Sequence, residues 1–279
     1  MAITLGLAVA YMGAEVVGGI LANSLALLAD AGHMLSDAGA LALALVAIRV
    51  AERPATAQHT FGFHRAEILA ALANGATLVA IALFILLEAY ERLWNPPEVA
   101  GGLMLAVAIG GLAINGAGLW LLHAGRDESL NVRGAWLHVL TDALGSVQAI
   151  VAGALILAFG WRWVDPVASI VIALLVIYSA WSILAQSLAV LMERAPGHLD
   201  VDEVRAALVA LPHVAGVHDL HVWTITSGFV ALSVHVTCRD LVTRDAVLHA
   251  AQHLLADRFN IRHTTIQIDP DEECHSTPH

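Results

Sequence analysis

Long, nearly unbroken apolar runs dominate the first two thirds of the chain, and short alternating and amphipathic stretches fill the last third. A bilayer-spanning helix needs about 20 mostly apolar residues. Six stretches meet that length: Ile3–Ala22, Leu25–Ile48, Ala66–Leu93, Gly101–His123, Ala135–Phe159 and Pro166–Leu191. Asn23-Ser24 separates the first two, Asn95-Pro96-Pro97 breaks the third from the fourth, and Gly160 to Asp165 turns the fifth into the sixth. The pattern then changes its period. Asp200 to Leu211 has helical spacing after an acidic start, whereas Gly216 to Thr226 and Phe229 to Cys238 alternate like strands. Ser227-Gly228 between those strands reads as a hairpin turn. Thr243 to Phe259 is helical again, and His263 to Ile268 is a β-branched strand. The expected architecture is a polytopic α-helical membrane protein: six transmembrane helices over residues 1–193, then a small αββαβ domain of the α+β (ferredoxin-like) class over residues 194–279.

Composition sharpens the class. Of 279 residues 58% are hydrophobic and 13% charged, with mean hydropathy +0.74; an average soluble domain is about 25% charged. Net charge is -11, and all 13 basic residues are Arg. The absence of a basic face argues against nucleic-acid binding. Cys238 and Cys274 are too few for a disulfide framework. The first residues lack a basic n-region and a small-residue cleavage site, so they read as a first span and not a signal peptide. Arg49, Arg53 and Arg65 follow the second span, and Arg126 and Arg133 follow the fourth; the opposite loops hold Arg92 and Arg162. The positive-inside rule therefore puts both termini and the tail in the cytoplasm.

Two patterns carry the chemistry. His33-x-x-x-Asp37 and His138-x-x-x-Asp142 each put an imidazole and a carboxylate on one face of a helix, in the middle of an apolar span. If the two faces met, two nitrogens and two oxygens would make a complete tetrahedral shell for a borderline-soft divalent metal such as zinc. Interhelical hydrogen bonding would also place polar groups here, but Ser36, Thr141, Ser146 and Gln148 already provide it at lower insertion cost. Ionisable groups at mid-membrane point to a transport path.

The stretches SLALLADAGHMLSD (Ser24–Asp37), HTFGFHRAEILAAL (His59–Leu72) and LHVLTDALGSV (Leu137–Val147) resemble the cation diffusion facilitator family, in its bacterial zinc-exporter branch. The six spans and the αββαβ tail match that family too, so the resemblance covers nearly the whole chain. It implies a homodimer in the inner membrane that exports cytoplasmic Zn²⁺ in exchange for protons, with Co²⁺ and Cd²⁺ as secondary cargo. The implied transport site, one per protomer, is His33, Asp37, His138 and Asp142. The resemblance also implies cytoplasmic ligands at His218, His235 and Asp269, at an interface between two tails. His221, His263, Cys274, His275 and His279 are further candidates there. His64 matches a loop histidine that binds a second metal in some members, but the acidic partner found elsewhere is missing, and a solvated loop residue is an equal reading for His64 and His59. The His-rich loop between the fourth and fifth spans is absent, leaving only His123 nearby.

Metal ligation and proton coupling follow from the same groups. Neutral imidazole and ionised carboxylate bind metal, and their protonated forms do not; histidine's reference value of about 6.5 suits such exchange. Asp30 reads as a group supporting the ligands, as a partner of Arg65, or equally as a carboxylate snorkelling to the interface. Glu15, Asn74 and Asn115 read as helix-to-helix glue, and His249 and His253 as a solvated helix face. Two other functions use similar residues. An intramembrane zinc hydrolase needs a general base beside its ligands, as in HExxH, and no HExxH occurs. A non-transporting metal receptor would carry the same ligands and move nothing. Two imidazoles favour Zn²⁺ over Mn²⁺, which an all-carboxylate site would suit.

Overall fold

The structure is a computed structural model that describes residues 2–123, 130–239 and 241–270. Six long helices come first: α1 (Ala2–Ala22), α2 (Leu25–Ala51), α3 (Ala66–Trp94), α4 (Gly101–His123), α5 (Leu130–Phe159) and α6 (Val164–Leu191). The tail follows as α7 (Val201–Val209), β1 (Val214–Thr226), β2 (Phe229–Cys238), α8 (Arg244–Phe259) and β3 (His263–Pro270). Helices α2 to α6 are each long and apolar enough to cross a membrane, and α1 adds a shorter apolar stretch, Val9–Ala22. This is a multi-pass membrane protein with a small α+β domain after its last span.

Two compact units divide the chain: Met1–Leu45 with Ala71–Leu184, and Val46–Ala70 with Ala185–His279. The second unit thus takes in the loop after α2 as well as the tail.

In the first unit, large side chains such as Phe84, Trp120, Leu175 and Tyr178 point outward. Apolar surface on that scale suits lipid and not water. Between the helices small residues dominate. Ala22, Ala26, Met104, Ala108, Ala149, Ala152 and Ala168 form one buried cluster. A second one joins Leu25 and Ala29 of α2 to Leu78, Ala82 and Ala89 of α3 and to Ala173, Val176 and Ala180 of α6. Where α4 meets α5 the approach is backbone to backbone: a Cβ on Gly153 would lie 3.2 Å from the Leu105 nitrogen and 3.3 Å from the Gly101 oxygen. Such small-residue crossings let van der Waals packing hold helices together where lipid removes the hydrophobic drive.

In the second unit the sheet order is β1-β2-β3, with β1 antiparallel and β3 parallel to the central β2. The hairpin closes at Gly228, whose φ of 75° explains the glycine. Asp200 caps α7 by accepting from the Asp202 and Glu203 amides, and α8 ends on Asn260 in the left-handed region, at φ 54°. Val204, Leu208, Val247, Ala251 and Leu255 of the helices pack on Val222, Leu232, Val234 and Val236 of the sheet. The helices therefore cover one face. By alternation, His235 and the side chains beside it on β1 and β3 emerge on the other.

Candidate metal centres

Four spaced residues on α2 and α5 come together inside the first unit. Asp37 Oδ2 lies 3.5 Å from His33 Nε2 on its own helix and 3.5 Å from His138 Nε2 across on α5. His138 Nε2 is in turn 3.7 Å from Asp142 Oδ2. The imidazole centroids are 6.3 Å apart, with the rings at 60°. The side chains thus form a string, His33–Asp37–His138–Asp142, that crosses from one helix to the other at Asp37. His33 Nδ1, Asp37 Oδ2 and Asp142 Oδ1 are buried and complete no hydrogen bond. Buried polar atoms in proteins are nearly always satisfied, so three unsatisfied ones in a single cluster need a partner. The spacing indicates which kind. N–H···O hydrogen bonds run at about 2.9 Å. Ligand atoms about 2.0–2.2 Å from a shared tetrahedral zinc stand about 3.3–3.6 Å from one another. The observed separations match the second range at Asp37.

Neighbouring polar groups brace the two helices. Ser36 Oγ donates to Asn74 Oδ1 of α3 at 3.4 Å, Asn115 of α4 donates to Ser146 of α5 at 3.4 Å, and Gln148 donates to the Ala168 carbonyl of α6 at 2.7 Å. Asn74 and Asn115 thus act as helix-to-helix glue. Glu15 is buried on α1, with Tyr11 of its own helix and Asp30 of α2 as its nearest polar groups. Asp30 does not pair with Arg65, whose guanidinium donates to Glu193 at 3.0 Å.

The tail brings together a second group. In the β1–β2 register His218 stands directly opposite His235, and β3 runs alongside with Asp269 beside Thr237. Asp269 Oδ2 lies 3.0 Å from His235 Nδ1 and 3.4 Å from His218 Nε2. Among the described residues these three have ligand atoms all within 4.8 Å of one another, a tighter cluster than the string in the membrane. Burial pushes the Asp269 carboxyl up, but hydrogen bonds from Gln267 and His235 and the nearby charges of His235 and His218 outweigh it, and the group sits below its ordinary range. A lowered carboxyl stabilises the fold above its ordinary range and stops doing so as pH falls through the lowered value.

The other histidines are placed differently. His59 stacks on Phe63 with centroids 4.5 Å apart, and His64 meets Phe229 edge-on at 5.6 Å. Among the described residues no group of three metal-ligating side chains forms around either of them. His263 packs against Phe61 and Phe229, while His221 and His59 line one cavity of the second unit. His249 and His253 are exposed on α8. Cys274, His275 and His279 lie outside the described residues.

Two acidic residues that sequence reasoning passed over hold structure around these sites. Asp165, fully buried at the start of α6, accepts from Ser24 Oγ at 2.6 Å and from the Leu25 and Ala26 amides at 2.8 and 3.2 Å. It therefore satisfies the free amides at the N-terminus of the helix that carries His33 and Asp37. In the second unit Glu67 accepts from Thr226 Oγ1 at 2.6 Å and Ser227 Oγ at 3.0 Å, tying the hairpin tip to the start of α3.

Known proteins match this architecture end to end. Residues 1–192 match the cation efflux transmembrane domain, and residues 196–271 match the cytoplasmic domain of cation efflux proteins. The chain belongs to the cation efflux family. It is 46% identical to the zinc transporter ZitB of Escherichia coli, over 97% of this chain and 86% of that one. The same identity relates it to a cadmium, cobalt and zinc/H(+)-K(+) antiporter of Bacillus subtilis, covering 95% of this chain and 86% of that protein. The metal cation efflux system protein CzcD of Cupriavidus metallidurans is 45% identical over 99% of this chain and 89% of its own length. Membership makes the chain a divalent-metal efflux transporter and not an enzyme.

Proposed function

We propose that this cation efflux protein exports Zn²⁺ from the cytoplasm in exchange for protons, with Co²⁺ and Cd²⁺ as secondary cargo. The observation that carries the reading is Asp37, whose single oxygen stands 3.5 Å from both imidazoles at the spacing of co-ligands. His33, Asp37, His138 and Asp142 bind the cargo as neutral imidazoles and ionised carboxylates, and an ion draws the string closed into a tetrahedral shell. When the site opens to a more acidic outside, protons displace the ion from the same atoms. Alternation comes from rocking of the ligand-carrying helices against the others. The zinc and H(+) in relatives' names support both the cargo and the exchange.

The arginine asymmetry supports an inner-membrane protein with both termini and the tail cytoplasmic. The functional division falls near residue 193, after which the tail acts as a dimerisation module in a homodimer. His218, His235 and Asp269 bind zinc where two tails meet, and metal there biases the transporter through its preference for one state. Replacing all three with Ala is expected to remove one zinc equivalent per protomer in calorimetry and to shift the zinc concentration needed for transport. Unchanged zinc stoichiometry would mean that the tail holds no metal.

Zinc flux in proteoliposomes under an imposed pH gradient tests the main reading. The native chain is expected to move zinc faster as the gradient steepens, and Asp142→Asn to move none. Native protein that binds zinc without moving it would make the chain a metal receptor.

A further inference from the structure

The first unit buries a second acidic pair that the metal ligands leave unexplained. Glu15 on α1 is 1% exposed, and the polar groups around it are a phenol and two acids, Tyr11, Asp30 and Asp142, with no cation among them. Asp30 on α2, one turn before His33, is 6% exposed. It packs closely on a glycine of α5: a Cβ on Gly145 would come within 3.1 Å of Asp30 Oδ1.

Few groups face this pair. Tyr11 is the polar neighbour of Glu15 on α1, but its hydroxyl donates to the Val107 carbonyl at 3.1 Å. Asp142 on α5 is within electrostatic reach of both carboxyls, and His33 on α2 is within reach of Asp30. Of this unit's arginines whose side chains the structure describes, Arg92 is engaged with Glu88 and the Asn23 carbonyl and Arg162 with Glu98. The chain has no lysine. Ionised carboxylates are not tolerated in an apolar interior without a cation. A proton is the cation that needs no coordination space, and a sealed carboxyl whose described neighbours are a phenol and other acids offers none.

We infer that Glu15, with Asp30 as its partner, is a proton-carrying site apart from the metal ligands, loaded and emptied once per transport cycle. The inference rests on the proton-exchange reading above and adds a carrier to it. One O–H bond forms at Glu15 when a proton arrives from outside water. The same bond breaks when that proton leaves to the cytoplasm. No electrons change hands. The trigger is charge: a divalent ion at the His33–Asp142 string supplies positive charge one turn from Asp30, in place of the proton.

The test uses the full chain in proteoliposomes, with zinc- and pH-sensitive dyes read together, for the native protein, Glu15→Gln and Glu15→Asp. Glu15→Gln is expected to bind zinc with an affinity less dependent on pH and to carry it down a zinc gradient, but to return one proton fewer per zinc. Under a one-unit pH gradient the limiting zinc accumulation should then fall about tenfold. Glu15→Asp, which keeps an acid, is expected to restore the native ratio. A native ratio and native accumulation in Glu15→Gln would overturn the inference. So would a variant that binds zinc yet moves it under neither gradient, since that places Glu15 among the moving parts. If Glu15→Gln fails to insert, infrared difference spectra of the native protein decide: zinc should abolish a protonated-carboxyl band, and an unchanged band overturns the inference. Native flux indifferent to the pH gradient would instead bring down proton exchange itself, so the two failures are distinguishable.

Discussion

Alanine at any one of His33, Asp37, His138 or Asp142 is expected to bring zinc transport to background while the protein still inserts. The reason is the string itself. Three of its atoms are buried without a hydrogen bond, and both imidazoles stand 3.5 Å from Asp37, at the spacing of co-ligands and not of hydrogen-bonded partners, with Asp142 next along at 3.7 Å. Removing one leaves three ligands and an opening for water, which converts a closed shell into an open one. Altering a group that merely orients a ligand already costs about 10- to 100-fold in metal affinity, so loss of a ligand should cost more. Folding should suffer little, because these atoms contribute no hydrogen bond to lose. Flux in proteoliposomes, with insertion checked by gel filtration, separates the two effects. If two of the four variants moved zinc at native rates, the ligand assignment would be wrong.

Asp165→Ala is expected to produce the largest loss of stability in the membrane unit. Its carboxylate is fully buried and accepts three hydrogen bonds from Ser24, Leu25 and Ala26 at the start of α2, with Arg92 at 4.0 Å. Bonds to a charged acceptor are worth about 1.5–3 kcal/mol each, and a lost cap costs about 0.5–2 kcal/mol. These terms overlap, and a net loss of about 3 kcal/mol is expected, enough to lower a thermal midpoint by roughly 6 °C or more. Asp165→Asn keeps one acceptor oxygen and should fall between. The N-terminal end of α2 would fray, so zinc affinity at His33 and Asp37 should weaken as well. A midpoint in detergent unchanged by Asp165→Ala would show that Ser24 alone caps the helix.

The spans and the αββαβ order were legible because each depends on local periodicity. Apolar runs of bilayer length give helices, and the alternation through Val230, Leu232, Val234 and Val236 gives a strand with one face buried. The HxxxD spacing likewise put each imidazole and its carboxylate on one face of its helix. It did not show that Asp37 bridges the two faces, since contact between helices 100 residues apart in sequence depends on packing. Asp165 escaped notice for the same reason. Before Pro166 it reads as an ordinary turn residue, and its partners lie about 140 positions earlier. The mismatch at Asp30 is similar: sequence offered Arg65 as a partner, and Glu193 claims that guanidinium instead.

The central claim is that α2 and α5 together present a two-nitrogen, two-oxygen shell for zinc. X-ray absorption at the zinc edge addresses it directly, on full-length protein in which His218, His235 and Asp269 are replaced by Ala, so that only the membrane site is loaded. The expected spectrum has four light ligands at about 2.0–2.2 Å, with outer-shell scattering from two imidazoles. A six-coordinate, all-oxygen environment, or a spectrum without imidazole scattering, would contradict the claim.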